Sequence, residues 1–98
     1  MSHKGELIIP ESAISDPNGV EIIRAWVANN GLHVSLAPGV WKDSAAWGVA
    51  LADVIKHLAD AYNRINGIDR QETIDGIVAL INAELENPTD QPSGGFVN

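Results

Sequence analysis

A run of apolar residues spaced for one side of a long helix constrains this chain most. Trp47, Leu51, Val54, Leu58, Ala61 and Ile65 follow each other at intervals of 4, 3, 4, 3 and 4 residues. That spacing returns to the same side of an α-helix at every step, so the segment predicts one long amphipathic helix from about residue 44 to 66. Val49, Ile55 and Tyr62 widen the stripe, and Asp53, Lys56, His57, Asp60 and Arg64 mark the opposite side. Asp43 stands where an N-cap belongs, and Gly67 where a left-handed C-cap belongs. Asp60 and Arg64, four apart, form a favourable helical pair. A stripe of this length must be covered, and the rest of the chain has to supply the cover.

A second helix is predicted over about 70–86. Asp69 with Glu72 makes an Asp variant of the capping box. Ile74, Ile77, Val78, Ile81 and Leu85 form its apolar stripe, and Asn87-Pro88 stops it. The short link makes the two helices antiparallel neighbours. Gly76 costs about 1 kcal/mol in a helix interior. It marks either a close helix crossing or a weak spot.

Before the helices lies a β-hairpin, about 20–28 and 32–37, with Asn29-Asn30-Gly31 between its strands. Two registers compete. With Asn30-Gly31 as a two-residue loop, Val27 faces Val34, and Ile23, Ala25, Val27, Val34 and Leu36 form the core side. Ile22, Arg24, Trp26, His33 and Ser35 then share the outer side. With all three residues in the loop, Trp26 pairs with Val34 and moves to the core side. The first register is favoured because its core side holds no charge. A two-stranded hairpin is marginal alone, so it is expected to pack on the long helix. The fold class is α+β: hairpin, long helix, shorter antiparallel helix.

The domain plan follows. Residues 1–19 read as an extended arm, with Leu7-Ile8-Ile9 stopped by Pro10 as an edge strand or an apolar plug, and a turn at Asp16-Pro17-Asn18-Gly19. Residues 20–87 form a single α+β domain. Residues 88–98 read as a disordered tail, with Phe96-Val97 as filler rather than a docking motif.

Composition excludes several classes. The chain has 98 residues, no cysteine and a formal net charge of -7. One domain is the limit at this size. Disulfides and thiolate chemistry are excluded. Phosphate backbones repel such a chain, so no nucleic-acid partner is expected. No apolar run is long enough for a membrane span, and the first six residues carry no signal-peptide core. The expectation is a small soluble cytoplasmic domain. Its acidity is local: residues 67–98 carry six acids against Arg70 alone.

Three stretches resemble a known family. They are Ile22 to Leu36, Trp47 to Asp53 with His57, Ala61 and Tyr62, and Asn87-Pro88-Thr89-Asp90. Together they resemble a family of small uncharacterised proteobacterial proteins, a domain of unknown function of about this length. The resemblance covers roughly residues 6–90. It implies an α+β chain of bacterial, cytoplasmic origin, and it implies no activity and no functional residues.

The chemistry-bearing residues point away from catalysis. Asp53 and His57, with Asp60 near, suit a solvated polar side better than a metal site, which needs three or four converging ligands. His33 and Ser35 lie two apart on a strand, without the elbow and acid a nucleophile needs. Three Asn-Gly pairs sit at turns and match no phosphate loop. The reading is no enzyme, no cofactor and no metal. Arg and Trp favour interfaces, so Ile22, Arg24, Trp26, His33 and Ser35 form a candidate interaction surface. The apolar excess points to a homodimer. Trp41 and Trp47 flank the start of the long helix. They read as a structural clamp, with a ligand pocket of a small-molecule-binding regulatory domain as the alternative.

Overall fold

A computed structural model describes residues 3–87 and 93–96, the last four by backbone alone. In chain order the elements are α1 (Glu11–Ser15), β1 (Ile23–Ala28), β2 (Gly31–Leu36), a 3-10 turn (Pro38–Val40), α2 (Ala46–Asn66), α3 (Arg70–Glu86) and β3 (Ser93–Phe96). The hairpin and the two helices make an α+β fold. The arm is not extended throughout, because Pro10 starts one turn of helix at α1. The tail is not wholly without structure: Ser93–Phe96 pairs in parallel with His33–Leu36, giving the strand order β1-β2-β3. The expectation for Phe96-Val97 as a pair lies partly outside the described residues.

The hairpin settles on a third register. Asn29 and Asn30 form the loop, with φ of 50° and 63°. Ala28 then opposes Gly31, Trp26 opposes His33, and Ala25 opposes Val34. Both expected registers placed Gly31 in the loop. Asn tolerates the left-handed region better than other side-chain residues, and a two-residue loop with positive φ at both positions matches strand twist. The shift from the favoured register is two residues in pairing, so each side chain keeps its side of the sheet.

Local signals set the helix ends. Asp69 accepts from the Glu72 amide at 3.1 Å. Gly67 takes φ 70°, its amide donates to the Asn63 carbonyl, and Asn63 Nδ2 donates to the Ile68 carbonyl at 3.0 Å. At the other end α2 starts two residues late. Asp43 accepts from the Ala45 amide at 2.9 Å and holds a turn before the helix instead of capping it. Asp60 accepts from Arg70 Nε at 2.7 Å, tying the two helices together, and the Arg64 charge adds a smaller attraction.

The hairpin does not lie on the long helix within one chain. β1 packs with β2, β2 with β3, and α2 with α3, whereas contact between the sheet and either helix is marginal at most. Among the described residues only Ala59 is fully buried, at 1% exposure. The stripe expected to be covered stands open instead, with Leu51, Val54, Leu58 and Ile65 all exposed. The radius of gyration is 15.3 Å, against about 13 Å for a compact chain of this length.

Gly76 has open space where a Cβ would stand, so no close crossing requires it. Gly76→Ala is expected to raise stability by about 1 kcal/mol in denaturant unfolding, and Gly67→Ala to lower it by about 1 kcal/mol, because only its positive φ closes the cap.

Candidate functional site

Pairing in the observed register gathers the candidate interaction surface. Arg24 opposes Ser35 and Trp26 opposes His33. All four side chains and Ile22 therefore share one side of β1 and β2. The chain itself covers part of this side. The His3 ring meets Trp26 edge to face, with centroids 5.0 Å apart and planes at 78°. Glu6 accepts from Arg24 at 2.8 Å, and Glu21 accepts from it at 3.2 Å. These two carboxylates hold the Arg24 guanidinium above its ordinary pKa, mainly through the Glu21 hydrogen bond and charge. Ile22, Arg24 and Trp26 are half-buried. His33 Nε2 donates to the Ala28 carbonyl at 3.0 Å.

The reverse side of β1 is the exposed one. Val27 is 85% exposed, and Ile23 and Ala25 are also open. This is the side expected to face the core, and helix contact with the sheet within the chain is marginal at most. Leu32 across from Val27 is likewise exposed. Beside β1 an open groove of about 1080 Å³ runs along the arm, with Leu7, Ile8, Ile14, Ile23 and Val27 on its walls. Leu7 and Ile8 are 89% and 93% exposed.

Trp41 and Trp47 meet each other edge to face, with centroids 5.3 Å apart and planes at 81°. Each ring fills the space beside the other, a contact worth about 0.5–1.5 kcal/mol beyond burial. The pair joins the 3-10 turn to the first turn of α2.

On the polar side of α2, His57 Nε2 lies 3.3 Å from Asp53, and both side chains are well exposed. Among the described residues no three His, Asp or Glu side chains converge to hold a metal ion. Asp60 is held below the ordinary carboxylate range by the Arg70 hydrogen bond, against a smaller opposing effect of desolvation.

The cover over Trp26 and Arg24 was not legible in the sequence. Glu6 and Arg24 are 18 positions apart, and no periodicity connects an arm to a strand at that distance. The opposite charges were visible, but many other pairings were equally open to them.

A family model described as Domain of unknown function (DUF5076) matches residues 6–89. The chain belongs to this family. No curated protein matches this chain. Four chains of solved structures match it. One is described as "a putative pyruvate dehydrogenase" from the photosynthetic bacterium Rhodopseudomonas palustrus CGA009. It is 28% identical, covers 93% of each chain and superposes with a TM-score of 0.72. No described helix is long and apolar enough to cross a membrane.

Because the folded state depresses the Asp60 pKa, its contribution to stability is present above the unfolded carboxylate value and is lost as pH falls through the folded one. Carboxyl-resolved NMR titration should find Asp60 below the ordinary range, and Arg70→Gln should move its midpoint upward.

Proposed function

We propose that this chain is a non-enzymatic protein-interaction module that works as a homodimer. One observation supports it above the others: the apolar residues that should form a core lie on two separate, uncovered faces. One is the α2 stripe of Leu51, Val54, Leu58 and Ile65; the other is the β1 side with Ile23 and Val27. The chain presents 8453 Å² of accessible surface. A compact monomer of 10.4 kDa would present about 5,400 Å². The difference is about 3,000 Å² per chain, or about 6,000 Å² for two copies, at the upper end of or above what permanent subunit interfaces bury in total.

Charge permits the association. The net negative charge concentrates in residues 67–98, with six acids against Arg70, and the two apolar faces hold no ionised side chain among the residues just named. Arg24 on the other side of β1 is already matched by Glu6 and Glu21.

The alternative, a small-molecule pocket at Trp41 and Trp47, has less behind it, because the rings occupy each other's edges. The dehydrogenase in the solved neighbour's description comes without residues, so no catalytic role passes to any side chain here.

Light scattering at tens of micromolar should give twice the 10.4 kDa chain mass. Leu58→Glu should return the chain to monomer mass, whereas Lys56→Glu on the polar side should leave the dimer intact. A wild-type chain that stays monomeric at millimolar concentration would remove the proposal.

A further inference from the structure

The two uncovered faces match each other. β1 and β2 are six residues each, a face about 20 Å long at ~3.3 Å per residue. The α2 stripe from Leu51 to Ile65 runs about 21 Å at 1.5 Å per residue. Both faces are apolar along that length. The charged residues Asp53, Lys56 and Asp60 lie on the far side of α2 from the stripe.

Within one chain the two faces make marginal contact at most. Between them lies the link 37–45, held by the Pro38–Val40 turn and by the Trp41–Trp47 contact. The sheet and α2 leave this link as separate arms. A second copy offers the same two arms, and a twofold axis makes every contact occur twice.

Three arrangements of two copies compete. Pairing α2 with α2 covers the stripe and leaves the sheet open. Pairing β1 with β1 along their free edges satisfies backbone groups and leaves both faces open. Laying the sheet of one copy on α2 of the other covers both faces at once. Apolar burial is the main favourable term in association, so the arrangement that buries both faces is selected.

We propose that the homodimer completes its core reciprocally: the β1 and β2 face of each copy, with Ile23, Ala25, Val27 and Leu32, lies on Leu51, Val54, Leu58 and Ile65 of the other. This rests on the homodimer reading above. Each copy then supplies half of two cores. The hairpin covers a long helix, and the helix belongs to the second copy.

Isotope-filtered NMR on a mixed dimer, one copy labelled with ¹³C and the other unlabelled, tests this with the native sequence. Inter-copy methyl contacts are expected between Val27 or Leu32 and Leu51, Val54 or Leu58. Val27→Glu, at a site already exposed in the single chain, is expected to raise the dimer dissociation constant at least tenfold. A dimer whose inter-copy contacts join α2 to α2, or β1 to β1, overturns the reciprocal arrangement and leaves the homodimer standing. A Val27→Glu dimer as tight as wild type overturns it equally. A chain that is monomeric throughout removes both.

Discussion

Apolar burial is the constraint on which everything else here depends. A folded chain must offset the conformational entropy lost on ordering, and burial of apolar surface is the main means. Among the described residues only Ala59 is fully buried. The hydrogen bonds of the strands and helices are in place, but net hydrogen bonding stabilises modestly. A long helix, a well-closed hairpin and a second helix therefore stand without a common interior. In the proposed homodimer a second copy would supply the missing cover.

The polar contacts make this arrangement specific without supplying its main stability. Arg70 joins α3 to α2 through Asp60, and Glu6 joins the arm to β1 through Arg24. Both pairs are partly or largely exposed, where ion pairs contribute little. Their effect is to hold elements in place. The arm closes over Trp26, which covers part of one side of the sheet and leaves the other side the more open face. The Trp41–Trp47 contact fixes the exit of the chain toward α2. Together they decide which apolar surface remains open.

What the sequence disclosed follows from the range of the forces involved. The helix ends at Gly67 and Asp69 were legible because a C-cap and an N-cap are set by residues one to four positions away. The span of α3 was legible for the same reason. The start of α2 was not, because Asp43 can serve either a cap or a preceding turn. The loop of the hairpin was misplaced because Asn-Gly is the commoner left-handed pair, yet Asn29 and Asn30 took the positive φ values. The two sides of the sheet were nevertheless sorted correctly, since a slip of two residues preserves the alternation. The packing of the hairpin on α2 was the largest miss: within the chain their contact is marginal at most. Periodicity says that a face needs cover, and it says nothing about what provides it. The grouping of Arg24, Trp26, His33 and Ser35 on one side was legible, and the arm that covers part of that side was not.

The claim that the core is completed between copies is tested most directly by the thermal midpoint as a function of chain concentration. A fold that is stable only as a dimer gains stability by mass action. The midpoint should therefore climb steadily as concentration rises from sub-micromolar to hundreds of micromolar, with one cooperative transition throughout. A midpoint independent of concentration over that range, with the transition still cooperative, would show that a single chain holds its own core and would contradict the account.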